Sequence, residues 1–290
     1  MSPARWIVLT VRVPSEELAA ELAEGLVALG GLAVEQDVDL LTTYIPEPAD
    51  PEGFLADVAD RLAALAGGEP EMLWRWQADE DWASRWKEGL APRRIGERIV
   101  VTQPWNPVAS EGDDIVIVID PSSAFGTGEH ATTRGALRLL ETAVRGGERA
   151  LDVGAGSAIL SIAAMALGAD RVLAVESDPG AMATAAANVA RAGVGDRVDL
   201  VNGLVDADYL VAVRGPGFDL VMANVLSGVL TPLLPDFRAV LTGAGRMILG
   251  GIMTDEAAAV RTAAAEVGLA VLAEDVEGEW WTALMGPRAT

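Results

Sequence analysis

The chain has 290 residues, 43 acidic against 21 basic residues for a formal net charge of −22, one histidine and no cysteine. This length exceeds the usual size of one domain, so two domains are expected. The cysteine count excludes disulfides, thiolate nucleophiles and cysteine metal sites, and the single histidine excludes multi-histidine sites, so no metal is expected. The acidic balance argues against a general nucleic-acid binder, because phosphate binding needs a basic surface.

Targeting and membrane signals are absent from the sequence. The N-terminal stretch MSPARWIVLTVRVPSEE has no long apolar core after its positive charge, and no run approaches the roughly 20 apolar residues that a membrane helix requires. We therefore expect a cytoplasmic protein with no membrane and no nucleic-acid partner. The acidity is interpreted as a solubility feature, with steering of a basic protein partner as the alternative.

The first 78 residues predict a small α+β domain. The predicted elements are a strand at 4–13, a helix at 15–29, one or two strands within 32–45, a helix at 52–66 and a strand at 72–77. The order β-α-β-β-α-β indicates a split βαβ sandwich. Since this stretch holds no catalytic cluster, residues 1–78 are assigned to substrate recognition.

Residues 79–95 are predicted to form a linker or hinge. Asp79 to Glu88 predict a helix on which Trp82 and Trp86, four residues apart, share one face. The pair is interpreted as packing against a neighbouring domain. Strands predicted at 98–102 and 115–119 then open the second domain, which we place at 96–290.

From Glu148 onward, apolar strands alternate with helices. The predicted strands lie at 150–153, 172–175, 198–201, 219–223, 246–250, 269–273 and 280–285, and the predicted helices at 158–167, 179–191, 226–241 and 255–267. This alternation predicts an α/β fold with a parallel, Rossmann-like sheet covered on both faces. Only residues 274–279 separate the last two strands, so a hairpin there would add an antiparallel strand, which a plain dinucleotide-binding sheet lacks.

A glycine turn follows the strand at 150–153. Gly154 and Gly156 would let the backbone approach a ligand closely, as in nucleotide-binding turns. The nicotinamide fingerprint requires a glycine where this chain has Ile159. The turn therefore favours a nucleotide cofactor that lacks a pyrophosphate.

An acidic residue ends the next strand. Glu176 is placed to accept hydrogen bonds from ribose hydroxyls. The alternatives are that Glu176 is simply an exposed acid, or that Asp178 is the ligand, although Asp178 is better placed as the N-cap of the helix that begins at Pro179.

Two other stretches carry polar groups suited to a site. Asn224 follows the strand DLVMA, where open α/β sheets bind ligands, and its amide oxygen can accept a hydrogen bond from an amine; the alternative is a helix N-cap. The stretch FGTGEHATT at 125–133 is a glycine-flanked turn that leads into a helix and offers several donors near one point. An ordinary turn-forming role would explain the glycines of this stretch but not its threonines and histidine.

These motifs resemble a known family. AFGTGEHATT, LDVGAGSAILSIAA and DLVMANVL resemble, in the same order, the signature segments of the ribosomal protein L11 methyltransferase family. DWASRWKEGLAPRRIGERIVVTQPW resembles that family's linker and domain entry, and GEWWTALMG its closing strand. The resemblance implies a class I methyltransferase that uses S-adenosylmethionine to methylate lysine side chains and the N-terminal α-amine of ribosomal protein L11. An N-terminal domain would recognise L11, and we expect a monomer.

The resemblance also implies site residues. By position, cofactor contacts fall on Thr133, Gly154, Glu176 and Asn224, with Asn224 beside the transferring methyl group. Further predicted cofactor contacts are Phe125, Gly126, Thr127 and Gly156. His130 is a second catalytic candidate, either accepting a proton or shaping the site.

Two positions depart from the family pattern. Ala158 replaces the last glycine of the turn, where a methyl group is expected to fit a helix start, and Glu176 replaces the usual aspartate.

Two other functions stay open. The first is a methyltransferase of the same architecture that acts on another protein lysine or a small molecule. The second is a regulatory module that binds the cofactor without chemistry.

Overall fold

The computed structural model describes residues 5–13, 18, 22, 25–26, 34–37, 39–66, 68, 71–78, 90–120 and 124–288. The chain divides into two compact units, Met1–Leu90 and Ala91–Thr290. The predicted linker helix with Trp82 and Trp86 lies outside the described residues, as does most of the helix predicted at 15–29. The roles assigned to residues 1–78, 79–95 and 96–290 stay predictions.

The first unit is built on a four-stranded antiparallel sheet. Its elements are β1 (Arg5–Arg12), β2 (Val34–Asp37), β3 (Leu40–Pro46), α1 (Pro51–Ala66) and β4 (Met72–Ala78). The strand order β2-β3-β1-β4, with every pair antiparallel, is the order of a split βαβ sandwich. Alternate residues of β1, such as Ile7 and Leu9, are buried against Val58 and Leu62 of α1.

The second unit opens with a three-stranded sheet. It consists of β5 (Arg93–Ile95), β6 (Ile99–Thr102) and β7 (Ile115–Val118), in that spatial order. β5 was not predicted; it falls within the predicted linker range and pairs antiparallel with β6.

The large sheet of the second unit has seven strands. They are β8 (Arg149–Val153), β9 (Arg171–Glu176), β10 (Val198–Asn202), β11 (Phe218–Asn224), β12 (Leu241–Met253), β13 (Leu269–Glu277) and β14 (Trp280–Pro287). The helices are α2 (Ala131–Ala143), α3 (Ile159–Leu167), α4 (Pro179–Arg191), α5 (Ala207–Val213), α6 (Ser227–Val240) and α7 (Ala257–Glu266). Of these helices, α5 was not predicted. Among the described helices, none is long and apolar enough to span a bilayer.

The strand order of the large sheet is β10-β9-β8-β11-β12-β14-β13. All neighbouring pairs are parallel except those of β14, which is antiparallel to β12 and β13. The predicted α/β fold, including its antiparallel strand, is confirmed. The order reverses between β8 and β11, and at such a switch point the carboxyl ends of the strands leave a crevice for a ligand.

The large sheet is buried on both faces. Along β11, Leu220 and Met222 belong to one hydrophobic core, while Val221 and Ala223 belong to the other. Successive side chains of a strand point to opposite faces, so a strand covered on both sides is apolar throughout. This packing fixes the strand ends that carry the candidate site.

Candidate functional site

A pocket of about 430 Å³ opens at the carboxyl edge of the large sheet. Its lining consists of Phe125, His130, Thr132, Gly154, Gly156, Glu176, Ser177, Asn224, Val225, Leu226, Gly251 and Trp280. Six of the predicted site residues therefore meet at one place. A larger pocket of about 540 Å³ lies between β7, α3 and the end of α4, but none of the predicted residues lines it. We place the site in the smaller pocket, because there the polar groups converge at the switch point.

The glycine turn brings bare backbone to the pocket. Gly154 and Gly156 have φ angles of +69° and +55°. A Cβ atom on Gly154 would lie 2.5 Å from Val225 Cγ1, and one on Gly156 would lie 2.6 Å from the carbonyl oxygen of Phe125. Both the backbone conformation and the space therefore require glycine here.

Ala158 differs from its sequence-based expectation. It is the N-cap residue of α3 with φ 64° and ψ 21°, and among the described residues it is the one non-glycine residue with a positive φ. Its methyl group therefore does not occupy an ordinary helix start. The left-handed conformation costs an L-residue with a Cβ about 1–2 kcal/mol, which explains why glycine is usual in this turn.

Glu176 connects the end of β9 to the glycine turn. It is 9% exposed, so the alternative of a merely exposed acid is wrong. Oε2 accepts a hydrogen bond from the Gly156 amide at 2.8 Å, and Oε1 accepts one from the Asp178 amide at 2.8 Å. Each carboxylate oxygen has a further lone pair that can accept from a ligand hydroxyl. Asp178 caps α4 by accepting from the Gly180 amide at 2.9 Å, as predicted.

Asn224 is the last residue of β11. Within the described part of the chain, its Oδ1 atom is buried and has no hydrogen-bond partner. The N-cap of α6 is Leu226, so the alternative of a capping role for Asn224 does not hold. An unpaired buried amide oxygen costs about 1–3 kcal/mol. Oδ1 packs against the backbone of Gly250, while Asn224 as a residue lines the pocket.

The loop before α2 is held against the glycine turn. The carbonyl oxygen of Phe125 accepts from the Ser157 amide at 2.9 Å, and that of Gly126 accepts from Ser157 Oγ at 2.5 Å. Thr127 Oγ1 accepts a hydrogen bond from the Glu129 amide at 3.2 Å, which is a local turn contact. Gly126 and Thr127 are described residues that do not line the pocket; they shape the loop that carries Phe125.

The two threonines of α2 have different surroundings. Thr132, which was not predicted, lines the pocket. Thr133, which was predicted, is fully buried outside the lining, and among the described residues its Oγ1 has no hydrogen-bond partner. The sequence places both at the start of one helix, and only the orientation of that helix separates them.

His130 is the N-cap residue of α2. Its Nδ1 atom accepts from the Thr132 amide at 3.4 Å and lies 2.9 Å from Thr132 Oγ1. A neutral ring whose Nδ1 accepts carries its proton on Nε2. The capping geometry therefore favours the shaping role of His130 over the proton-accepting role.

Two of the six lining residues missed by sequence reasoning come from the last strands. Trp280 begins β14, and Gly251 has a φ of +76° and a Cα so close to Val225 that a Cβ would lie 2.5 Å from the Val225 carbonyl oxygen. Gly250 and Gly251 lie at the carboxyl end of a predicted strand. Position at a strand end is the same criterion that singled out Asn224, so it could have identified Gly251 as well. Ser177, Val225 and Leu226 directly follow the strand ends that carry Glu176 and Asn224, whereas nothing comparable pointed to Trp280.

A network of ion pairs fixes α2 against β13. Arg134 pairs with Glu277, and Arg138 binds Asp275 through two hydrogen bonds of 2.7 Å and Glu277 through one of 2.6 Å. Hydrogen bonds from Arg134 and then Arg138 lower the pKa of Glu277 to about 2. The network holds the helix that begins after His130 against the hairpin that carries Trp280.

Asp152 lies in β8, two residues before the turn, and is fully buried. It accepts hydrogen bonds from the Ser161 amide at 3.1 Å and from Ser161 Oγ at 2.6 Å. Burial nevertheless raises its pKa to about 6.

Within the described residues, no group of three or more histidine, aspartate or glutamate side chains is placed to hold a metal ion.

The site and fold were compared with known proteins. A family model described as Ribosomal protein L11 methyltransferase (PrmA) matches residues 15–288. The ribosomal protein L11 methyltransferases of Pelotomaculum thermopropionicum and Geobacter sulfurreducens are each 37% identical to this chain, and each comparison covers 95% of this chain and 96% of the relative. The solved structure of a ribosomal protein L11 methylase from Lactobacillus delbrueckii subsp. bulgaricus is 29% identical with a TM-score of 0.61, over 68% of this chain and 99% of that chain.

Proposed function

Because this chain belongs to the ribosomal protein L11 methyltransferase family, we propose that it transfers methyl groups from S-adenosylmethionine to amines of ribosomal protein L11. The amines are lysine side chains and the N-terminal α-amine. The observation that carries the proposal is the meeting of Asn224, the glycine turn and Glu176 in the lining of one pocket.

The residues of the pocket fit this cofactor. Glu176 offers carboxylate lone pairs for a ribose diol, and the turn at Gly154 and Gly156 leaves backbone unobstructed by side chains. The carboxylate of Glu176 also places a negative charge in the pocket, which favours a cofactor that carries a cationic sulfonium. Thr133, Gly126 and Thr127 are assigned as supports of the loop and helix that frame the cofactor, with Phe125 at the pocket wall.

When bound, S-adenosylmethionine would supply a methyl carbon on a sulfonium. An amine lone pair can attack that carbon in line and displace the thioether. Catalysis then depends on positioning, with reacting atoms about 3–3.5 Å apart. With its side-chain amide turned toward the pocket, Asn224 would accept an N–H of the amine through Oδ1 and so direct the amine lone pair. No covalent nucleophile is needed.

The amine must lose a proton before it attacks. A lysine amine has an ordinary pKa of about 10.4, and a desolvated position beside a cation lowers that pKa. His130 Nδ1 accepts a hydrogen bond in the cap of α2. The proton of the amine therefore passes to water, and His130 shapes the lining of the pocket.

The remaining assignments concern the rest of the chain. Residues 1–78 recognise L11, and the hinge predicted at 79–95 is placed before Ala91, because the second unit begins there and Arg93–Ile95 form β5. The protein acts as a cytoplasmic monomer. The net charge of −22 favours a protein substrate over nucleic acid.

The proposal is tested by mass spectrometry of L11 from cells with and without this protein. We expect methylated L11 only when the protein is present. Unchanged L11 with a methyl group gained by another protein lysine or a small molecule would instead support a different substrate. Cofactor binding without transfer to any amine would support a regulatory module.

A further inference from the structure

Three aromatic rings line one side of the pocket. The ring centroids of Phe125 and His130 are 5.3 Å apart, and those of His130 and Trp280 are 4.9 Å apart, with interplanar angles of 61° and 66°. These separations lie within the usual range of about 4.5–7 Å for edge-to-face aromatic pairs. We call Phe125, His130 and Trp280 the aromatic wall.

Of the aromatic wall, Trp280 lies on the side of Asn224 away from Glu176, whereas Phe125 lies against the glycine turn. In the sheet, Glu176 ends β9, two strands from β11, and Trp280 begins β14, two strands from β11 in the other direction. Neighbouring strands are about 4.8 Å apart, so the pocket runs from a ribose-binding end, past Asn224, to the Trp280 end. The acceptor amine must approach from the Trp280 end if the ribose lies at Glu176.

The side chains at the Trp280 end are poor in charge. Among the described residues that line the pocket, Glu176 is the one acidic side chain, and it lies at the opposite end. Of the acids near this end, Glu129 pairs with Arg93 and Glu277 pairs with Arg134, and the exposed Glu279 directly precedes Trp280 along the chain. Within the pocket lining, a cation at this end would meet aromatic rings and the side chain of Asn224.

We propose that the aromatic wall binds the methylated ammonium group of partly methylated substrate by cation–π contacts, an inference that rests on the proposed function. An unmethylated amine can donate N–H to Asn224, but each added methyl group removes a donor. Ring faces attract an N-methylated cation without hydrogen bonds, and tryptophan does so best. The aromatic wall thus retains the substrate as Asn224 loses its partner.

The wall serves repeated transfer. Before each transfer the substrate nitrogen releases one proton to water; its lone pair then forms the N–C bond while the C–S bond breaks and leaves its electron pair on sulfur. After each transfer the nitrogen is again cationic. Binding of that cation at Phe125, His130 and Trp280 keeps the intermediate close while the cofactor is exchanged.

A binding experiment tests the wall without L11. Choline and 3,3-dimethyl-1-butanol have nearly the same shape, but only choline is charged. The protein with S-adenosylhomocysteine is titrated with each while the Trp280 indole N–H resonance, assigned from its loss in Trp280→Phe, is followed by NMR. We expect choline to bind roughly 3- to 30-fold more tightly.

Variants identify the residue responsible; Trp280→Leu, Trp280→Phe and Trp74→Leu are compared by competition with isotope-labelled choline. Trp280→Leu should bind choline and 3,3-dimethyl-1-butanol equally, and Trp280→Phe should keep part of the preference for choline. Trp74→Leu alters a 45%-exposed tryptophan of the first unit and should keep the full preference. Equal binding of the two probes to the unmodified protein, or an unchanged preference in Trp280→Leu, would overturn the proposal.

A second readout uses L11 itself. The ratio of trimethylated to monomethylated lysine should fall at least roughly threefold in Trp280→Leu and recover in Trp280→Phe. If the unmodified protein methylates L11 but this ratio is unchanged in Trp280→Leu, or if it adds a single methyl group only, the role of the wall fails and the proposed function stands. If the unmodified protein transfers nothing to L11, the proposed function fails, and the choline preference still decides whether the wall binds a methylated cation.

Discussion

Glu176 Oε2 accepts a hydrogen bond from the Gly156 amide at 2.8 Å, which joins the acid that ends β9 to the turn that follows β8. The two features of the sequence that suggested a nucleotide site are thus parts of one hydrogen-bonded unit. The glutamate that replaces the family's usual aspartate has one more methylene, and in this chain its carboxylate reaches the amide of the neighbouring turn.

Replacing Glu176 by alanine should weaken S-adenosylmethionine binding. The variant loses both the ribose acceptor and the contact that orders the turn. Hydrogen bonds to charged groups contribute about 1.5–3 kcal/mol, so we expect the dissociation constant, measured by calorimetry, to rise roughly 10- to 100-fold. Asp178→Ala is the matched control, because that acid caps α4; it should lower stability by about 1 kcal/mol and leave cofactor affinity nearly unchanged. Equal effects of the two variants on affinity would argue against the role of Glu176.

Replacing Asn224 by alanine should slow turnover more than it weakens cofactor binding. Misplacing a reactant can cost about 100-fold in rate, and we expect a loss of that order in single-turnover methyl transfer, with a change of less than roughly threefold in cofactor affinity. Stability should not fall, because Oδ1 lacks a partner within the described residues and Leu226 holds the N-cap position. Normal turnover in Asn224→Ala would remove the role assigned to this amide.

Two alanine-to-glycine substitutions separate backbone strain from packing. Ala158 and Ala163 are both fully buried, but only Ala158 is left-handed. In Ala158→Gly, relief of about 1–2 kcal/mol offsets the loss of a buried methyl group, about 0.8 kcal/mol, and the greater freedom of the unfolded chain, about 0.4–1 kcal/mol. Its free energy of unfolding in urea should stay within about 0.8 kcal/mol of the original.

Ala163→Gly has no strain to relieve. Glycine in a helix interior costs about 1 kcal/mol, and the lost methyl adds about 0.8 kcal/mol. We therefore expect a decrease of about 2 kcal/mol in the free energy of unfolding. Similar decreases for the two variants would show that Ala158 is not strained.

Asp152 should make stability depend on pH. Its pKa is about 6 in the folded protein, raised from an ordinary value of 3.8, so between these values the folded state binds the proton more than the unfolded state does. The contribution of Asp152 to the free energy of unfolding is therefore greatest below the unfolded pKa and is lost as pH rises through the folded one. At about 1.4 kcal/mol per pKa unit, the loss is at most about 3 kcal/mol.

Urea unfolding at several pH values checks this assignment. Asp152→Asn should remove the decline between about pH 4 and pH 6. Asp199→Asn is the control, because pairing with Arg171 lowers the pKa of Asp199 and its effect belongs to more acidic solutions. The same slope in the unmodified protein and in Asp152→Asn would assign the decline to other groups.

The fold could be predicted because each strand and helix of the second unit carries its own periodic signal. Strands such as β11 are apolar on both faces, and α4 begins at Pro179 behind a capping Asp178, so its bounds were predicted exactly as observed. The two missed elements are short: β5 has three residues and α5 has seven. Elements of that length depend on packing against neighbours more than on their own pattern.

The site was predictable where its residues end parallel strands. Gly154, Glu176 and Asn224 follow this rule, because the carboxyl ends of neighbouring parallel strands share one edge of the sheet. Trp280 begins an antiparallel strand, and antiparallel pairing brings its amino end to that same edge. The choice between Thr132 and Thr133 depends on how α2 packs, which local sequence does not determine.

Methyl transfer to purified L11 tests the central proposal most directly. The protein is incubated with L11 and S-adenosylmethionine that carries an isotope-labelled methyl group, and the label is located by mass spectrometry of L11 peptides. We predict label on lysine side chains and on the N-terminal α-amine, with little or none when Asn224→Ala is used. Unlabelled L11 in the presence of active, cofactor-bound protein would contradict the proposed function.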